Sequence, residues 1–524
     1  MRRWRATMTG FAMREGRGGT RMKTNLRRGI GLGIALTLGT IGPMMRGYAQ
    51  PPLRTVRELE RRVEELLRRP EFATTRWGIL VESLDRRRVL LAREADQLFT
   101  PASNMKLYTT AAALIRLGPN FRFRTSVYVQ MRPDERGHVE GDVILYGRGD
   151  PNLSTRTLAG GYLTPFFELA DQLVRAGVRE VFGDIVGDES YFVGPRLGLG
   201  WEWDDLQWYY GAEVSALSVD DNFVDVILRP GEREGDPVRV ILSTPSTHVT
   251  VINRAVTAAA GTPQRIELER GLQDNVLEIR GTMPRDSLGY RAAVAVHHPA
   301  LYAATLFREA LERRGVRVHG RAVAADWKVR RERPLDLRQM IELAAIESIP
   351  LSEEIRVLNK ISQNLHAEIL LRVLGAEVKG EGSAERGLDV LREFLQEIGA
   401  RTSGVRLRDG SGLSRLNLVT PAATVDLLRF MDRHEYGAIY RESLPVAGVD
   451  GTLERRMRGT PAEGNVRAKT GTLAYTFTLS GYVTTARGER LVFSIMANHH
   501  TGEAAHVLSA LNELCAMLAT FAGR

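Results

Sequence analysis

Cysteine is almost absent from this chain, which has only Cys515 in 524 residues. No intramolecular disulfide can form, so the fold must be stabilised by its hydrophobic core. The thiol lies in an apolar helical pattern without a histidine partner pattern, which favours a buried structural cysteine over a nucleophile. A chain of this length predicts two or three domains.

A surplus of positive charge is missing from most of the chain. The formal net charge is +9, but residues 1–49 contain ten Lys or Arg and one acidic residue, Glu15, and so carry the whole surplus. The rest of the sequence is balanced, and its charge therefore indicates no nucleic acid partner.

The apolar run near the N-terminus, residues 30–41, is too short and too rich in glycine to span a bilayer comfortably. It follows two arginines and precedes Gly47-Tyr48-Ala49, a pattern typical of a secretory signal peptide cleaved near Ala49. A membrane anchor is the alternative, and Sec and twin-arginine export both fit the segment. We expect residues 1–49 to be a signal peptide and the mature protein to be exported to the periplasm or cell envelope.

Patterns for a bound cofactor are also lacking. The glycines form no dinucleotide or phosphate-loop pattern between a strand and a helix. The pairs His297-His298 and His499-His500 have no acidic or cysteine partner at ligand spacing, and adjacent strand residues point to opposite faces. We therefore predict neither a metal nor a cofactor.

The two ends of the chain have similar patterns of helix and strand. Apolar spacing predicts helices over 54–69, 101–117 and 503–521, and strands over 77–84, 88–93, 479–484 and 491–497. The last two strands form a predicted hairpin. We expect one sheet that both chain ends complete.

The middle of the chain has a different texture, with short β-rich runs broken by glycine and proline. It also contains helical patterns at 165–176 and 301–313. We predict an inserted α+β region, residues 125–344, with two nested subdomains. The surrounding residues, 50–124 and 345–524, would form the main domain.

Three short motifs supply the groups that a serine acyl transferase needs: Ser103-Asn104-Met105-Lys106, Ser362-Gln363-Asn364 and Lys469-Thr470-Gly471. Ser103 and Lys106 share one face of a predicted helix start, so a neutral Lys106 can remove the serine proton. The helix N-terminus adds partial positive charge where negative charge develops during attack. For this motif taken alone, a capping serine and a surface lysine are the alternative.

The other two motifs provide substrate contacts. Ser362 and Asn364 lie in a turn between helical patterns, where the hydroxyl can relay a proton and the amide can orient a substrate. Lys469 opens a predicted edge strand that can pair with an extended peptide, and Gly471 lets a substrate backbone approach closely. We expect Lys469 to bind a substrate carboxylate and to help lower the pKa of Lys106. A surface lysine is the alternative for each motif taken alone. The occurrence of all three motifs in this order favours the catalytic interpretation over that alternative.

The ordered set resembles the active-site serine penicillin-recognising enzymes. Residues 359–368, 409–415 and 444–453, with Gly147-Arg148-Gly149-Asp150-Pro151, are similar to the D-alanyl-D-alanine carboxypeptidase/endopeptidase family, the class C low-molecular-mass penicillin-binding proteins. This resemblance runs over nearly the whole mature chain. It implies a transpeptidase-like α/β fold, an antiparallel sheet flanked by helices, with two nested insertion domains.

The resemblance also implies roles for individual residues. Ser103 matches the acylated nucleophile and Lys106 its general base, and the backbone N–H groups of Ser103 and Thr472 would form the oxyanion hole. The second motif is matched by Ser362 and Asn364, and the third by Lys469, Thr470 and Gly471. At position 363 this chain has glutamine where the family often has aspartate. The middle residue of this motif does not carry the chemistry, so the difference affects only the fine tuning of the site.

A segment of the inserted region resembles the border of the family's substrate side-chain pocket. The matching residues are Trp201, Asp205 and Tyr210, for which packing is the alternative.

These resemblances imply a serine D-Ala-D-Ala carboxypeptidase or DD-endopeptidase that acts on peptidoglycan stem peptides and is acylated by β-lactams at Ser103. A β-lactamase is one alternative, but the class A glutamate segment and a tyrosine in the second motif are missing. A non-catalytic envelope scaffold is the other, against which the intact motifs argue. The sequence does not indicate the oligomeric state.

Overall fold

The computed structural model of the protein describes residues 53–155 and 160–523. The predicted signal peptide, residues 1–49, lies outside these ranges. Within them, no helix combines the length and the apolar character that a membrane crossing requires.

Strands dominate the middle of the described chain, and helices dominate residues 351–443. In the described ranges the α-helices, in chain order, are α1 (Val56–Leu67), α2 (Met105–Leu117), α3 (Thr164–Arg175), α4 (Pro299–Arg313), α5 (Trp327–Glu332), α6 (Leu351–Ile361), α7 (Asn364–Lys379), α8 (Ala384–Glu397), α9 (Pro421–Arg433), α10 (Gly437–Ser443) and α11 (Ala504–Thr520). The β-strands are β1 (Arg76–Ser83), β2 (Arg88–Arg93), β3 (Arg124–Val129), β4 (His138–Val139), β5 (Val143–Gly147), β6 (Glu180–Val181), β7 (Ile185–Asp188), β8 (Phe223–Arg229), β9 (Arg239–Leu242), β10 (Thr250–Asn253), β11 (Val256–Ala258), β12 (Arg265–Arg270), β13 (Val276–Pro284), β14 (Tyr290–Ala295), β15 (Arg317–Val318), β16 (Ala322–Ala325), β17 (Ile341–Glu347), β18 (Arg467–Leu473), β19 (Thr476–Thr484) and β20 (Arg490–Asn498).

Strands from both ends of the described chain form one antiparallel sheet in the order β18-β19-β20-β1-β2. β1 pairs with β20 along its whole length, with Trp77 opposite Ala497. The expectation that both chain ends complete one sheet is confirmed. β18, which carries the third motif, is an edge strand as predicted.

Both faces of this sheet are covered by helices, because successive strand residues point to opposite sides. Ile79 belongs to the core shared with α1 and α11, whereas its neighbour Leu80 belongs to the core shared with α2 and α6 to α9. Thr55 and Glu58 form a capping box at the start of α1. Cys515 of α11 is fully buried, as predicted, and burial raises the pKa of its thiol to about 12.

The chain leaves the main sheet through β3 and returns through β17, and these two strands are antiparallel neighbours with Arg124 opposite Glu347. They belong to a second sheet in the order β16-β7-β5-β3-β17, beside the small parallel sheet β15-β6-β4. Strands β8 to β14, which lie between these elements in the chain, form two further sheets. These are β14-β8-β9 and β10-β13-β11, the latter with β12 on β13.

Candidate active site

The first motif lies where a short 3-10 helix, Ala102–Asn104, runs into α2. Ala102 has a left-handed φ of 46°, a conformation that costs a non-glycine residue free energy and is often found at functional sites. Ser103 is half-buried, whereas Lys106 is fully buried. The serine hydroxyl therefore lies at the edge of a cleft, with the amine behind it.

The amine of Lys106 contacts three oxygen atoms. Its Nζ lies 2.9 Å from Ser103 Oγ, 2.6 Å from Asn364 Oδ1 and 2.6 Å from the Ser411 carbonyl oxygen. Among the described residues, no carboxylate forms an ion pair with this amine. Two of the three contacts are carbonyl oxygens, which can only accept hydrogen bonds.

Burial lowers the pKa of Lys106 to about 7, and the carboxylates of Asp409 and Glu368 act against this shift. A neutral amine has two N–H groups and one lone pair. Because the two carbonyl oxygens accept both N–H groups, the lone pair faces Ser103, whose hydroxyl then donates to Nζ. The site thus holds the amine in the orientation of a general base.

The second motif joins the first to the inserted region. Ser362 ends α6 with a left-handed backbone, φ 62° and ψ 42°, and Asn364 begins α7. While Oδ1 of Asn364 accepts from Lys106, its Nδ2 donates to the Tyr210 carbonyl oxygen at 2.8 Å. One amide group therefore fixes both the lysine and the neighbouring segment.

The third motif places a second lysine in this cleft. Lys469 is fully buried, and its Nζ lies 2.8 Å from Ser362 Oγ and 2.9 Å from the Thr470 carbonyl oxygen. Burial and then repulsion by Lys106 lower the pKa of Lys469 well below its ordinary value. Burial is the main cause of the lowered pKa of Lys106, and the predicted contribution of Lys469 to that shift stays a prediction.

Gly471 has a structural role in addition to the predicted one, which stays a prediction. A Cβ at this position would lie 2.8 Å from the Pro101 carbonyl oxygen and 2.9 Å from the Ser103 nitrogen. Glycine therefore lets β18 lie directly against the backbone turn that carries Ser103. Thr472 follows on the same strand and is exposed.

The structure places all three predicted residues of the inserted region next to this site. Trp201 donates from Nε1 to Asp409 at 3.0 Å, and Asp205 accepts from Arg415 at 2.9 Å. Tyr210 contributes its carbonyl oxygen to the second motif. Their predicted contact with a substrate side chain stays a prediction.

The residues that support the lysine were not predicted from the sequence. Glu368 is fully buried and its Oε1 accepts the N–H groups of Gly410 and Ser411, both at 2.8 Å, while Arg372 pairs with its other oxygen. These bonds fix the loop whose carbonyl receives the Lys106 amine. Asn364, Glu368 and Arg372 follow one another at intervals of four, so they share a helix face, and this spacing was the available signal.

α7 also carries a second buried charge cluster. His366 Nδ1 lies 2.7 Å from Glu354 and its Nε2 lies 2.8 Å from Asp221. Burial opposes protonation, but the two carboxylates raise the pKa of His366 to about 10. Within 53–155 and 160–523, no group of three or more His, Cys, Asp or Glu side chains is arranged to hold a metal ion.

A half-buried serine beside a buried lysine, with a second serine joined to a second lysine on an edge strand, defines an active-site serine acyl transferase. The architecture is that of the penicillin-recognising enzymes, and the predicted fold class is confirmed.

Comparison with known proteins identifies the family within this class of enzymes. Residues 59–518 match the D-Ala-D-Ala carboxypeptidase 3 (S13) family. A D-alanyl-D-alanine carboxypeptidase from Actinomadura sp. is 37% identical over 521 residues, which cover 96% of this chain and 93% of that protein. The D-alanyl-D-alanine carboxypeptidase DacB of Haemophilus influenzae is 28% identical over 432 residues, 81% of this chain and 86% of that one.

A solved structure agrees with these relatives. The crystal structure of penicillin binding protein 4 (dacB) from Haemophilus influenzae matches with a TM-score of 0.76 and 26% identity, over 86% of this chain and 98% of that chain. The chain belongs to the D-Ala-D-Ala carboxypeptidase 3 (S13) family. Its predicted class, a serine-type D-Ala-D-Ala carboxypeptidase, is confirmed.

Proposed function

We propose that this enzyme removes the terminal D-alanine from peptidoglycan stem peptides through an acyl-enzyme on Ser103. The observation that carries the proposal is the 2.9 Å contact between Ser103 Oγ and the Nζ of Lys106, whose other two contacts are carbonyl oxygens. A base with a pKa near neutrality, already aimed at a hydroxyl, is what acylation at physiological pH requires.

The reaction follows from these positions. Lys106 takes the proton of the Ser103 hydroxyl, and the oxygen attacks the carbonyl carbon of the peptide bond. The N–H groups of Ser103 and Thr472 stabilise the negative oxygen of the tetrahedral intermediate. The C–N bond then breaks, and the proton passes through Ser362 to the amine of the departing D-alanine. A water molecule hydrolyses the ester and restores the serine.

Substrate recognition is assigned to the edge strand and the inserted region. Lys469 has no carboxylate partner among the described residues, so the terminal carboxylate of the peptide supplies its missing counter-ion, together with Thr470 and Thr472. Trp201, Asp205 and Tyr210 border the pocket for a side chain of the stem peptide. The peptide pairs with β18 in an extended conformation.

Further properties are part of the same proposal. The enzyme also cuts cross-links that end in a D-alanyl bond, and β-lactams acylate Ser103 because they present a strained amide to the same nucleophile. It acts in the periplasm or cell envelope after residues 1–49 are removed as a signal peptide. The names of two relatives, penicillin binding protein 4 and D-alanyl-D-alanine carboxypeptidase, support the β-lactam binding and the peptidase activity in this proposal.

We also propose a division into a main domain, residues 50–124 and 345–524, and an inserted region, 125–344, with two nested subdomains. The neighbouring positions of β3 and β17 support it, because the insertion leaves and returns at one place. The described residues form one compact unit, so the division is one of topology.

The test is release of D-alanine from diacetyl-L-Lys-D-Ala-D-Ala. Wild type should release it catalytically, and Ser103→Ala should not, whereas Ser403→Ala, in an exposed turn, should behave as wild type. Release by Ser103→Ala at a wild-type rate would contradict the proposal. Nitrocefin turnover in many cycles by the wild type, without D-alanine release, would favour a β-lactamase instead.

A further inference from the structure

A cavity of about 250 Å³ opens in the inserted region. Its walls include Leu197, Leu206 and Glu213, together with residues of the segments 270–273 and 295–298, and none of the three catalytic motifs lines it. The proposed carboxypeptidase mechanism does not use it.

One cation in the wall, Arg270, has no counter-ion among the described residues. Arg270 is only 5% exposed. Its Nη2 donates to the Leu206 carbonyl oxygen at 2.7 Å, but its Nε–H has no acceptor within the described structure. Burying a guanidinium without an anionic partner is unfavourable. Burial accordingly lowers the pKa of Arg270 to about 10.

The carboxylate of Glu213, which also lines the cavity, is already engaged. Its Oε1 lies 2.6 Å from His297 Nδ1, and its Oε2 accepts the backbone N–H of His298 at 3.1 Å. Glu213 and the neighbouring carboxylate of Asp274 act on Arg270 only at longer range, without an ion pair. The cavity therefore contains two charged groups of opposite effect. Arg270 is a cation without an ion pair to any described carboxylate, and Glu213 is a carboxylate that would repel a strongly charged anion.

The mouth of the cavity is apolar. Leu272 is 55% exposed and Leu197 is 36% exposed, whereas Leu206 is half-buried. Pockets for drug-sized ligands have volumes of roughly 300–1,000 Å³, so this cavity suits a single short chain. An exposed apolar rim around a buried cation favours a ligand with an apolar stem and a charged end.

We propose that this cavity binds a small carboxylate on an apolar stem, with Arg270 as its counter-ion. A monovalent carboxylate fits better than a phosphate dianion, because Glu213 repels the second charge. The same segment that lines the cavity, 206–213, carries the Tyr210 carbonyl that accepts from Asn364. The proposal goes beyond the carboxypeptidase activity and does not depend on it.

The experiment is a titration of the purified full chain with hexanoate, in which saturation-transfer difference NMR measures binding. Arg270→Met keeps an unbranched side chain and removes the charge, and Arg280→Met removes an exposed arginine of the neighbouring β13 as a matched control. Hexanoate should bind wild type and Arg280→Met saturably and equally. We expect at least tenfold weaker binding to Arg270→Met, and at least tenfold weaker binding of 1-hexanol to wild type.

Several results would overturn the proposal. These are no saturable hexanoate binding to wild type, equal binding to Arg270→Met, or inorganic phosphate that competes as well as hexanoate. If Arg270→Met does not give a wild-type thermal unfolding curve, Leu272→Glu replaces it, because this exposed position tolerates a charge that repels the ligand at the mouth. Unchanged hexanoate binding to Leu272→Glu would then contradict the assignment.

Discussion

The pH dependence of acylation follows directly from the environment of Lys106. Burial lowers its pKa from 10.5 to about 7, so the base gains a proton as the pH falls through neutrality. About half of the amines are neutral at pH 7 and about 1% at pH 5, so the acylation rate constant should fall roughly a hundredfold between its plateau and pH 5. An exposed lysine would give the same fall only near pH 10.

The assay measures the second-order rate constant for acylation by benzylpenicillin between pH 5 and pH 9. Lys106→Ala should lower the plateau by about 10²–10⁴ and abolish the pH dependence. Lys379→Ala, which removes an exposed lysine of α7, should reproduce the wild-type profile. A wild-type rate constant that is flat from pH 5 to pH 9 would refute the assignment of Lys106 as the base.

Three further predictions concern residues around this lysine. Lys469→Ala should raise the KM for a D-Ala-D-Ala peptide by about tenfold or more but leave that for its C-terminal amide unchanged, since the lost contact is to the carboxylate; equal effects on both would argue against this. Glu368→Gln should move the rise in acylation rate to lower pH, because the Glu368 carboxylate raises the pKa of Lys106, and an unmoved profile would show that its charge does not reach the amine. Gly471→Ala should lower the free energy of unfolding in urea by about 1–3 kcal/mol and slow acylation, since its Cβ meets backbone atoms; wild-type stability would contradict that packing.

The regular elements of the fold could be predicted from local patterns. The amphipathic spacing after Thr55 indicated α1, and the alternation on either side of residue 487 indicated the β19–β20 hairpin. Such patterns do not encode which distant strands become neighbours. The pairing of β1 with β20 and the order of the inserted sheets depend on contacts between residues that are far apart in the chain.

The candidate site shows the same limit. The three motifs identified Ser103, Lys106 and Lys469, and the structure brings them into one cleft. The main cause of the lowered Lys106 pKa was not predicted, because burial is a property of the packed core that no motif contains. Glu368 was missed as a supporting residue for the same reason, since its partners lie in a loop that is distant in the chain.

The most direct test of the central claim is the intact mass of the protein after exposure to benzylpenicillin. Wild type should gain the mass of one penicilloyl group per chain, in a long-lived adduct, and Ser103→Ala should gain none. An adduct of the same stoichiometry on Ser103→Ala would contradict the assignment of Ser103 as the nucleophile.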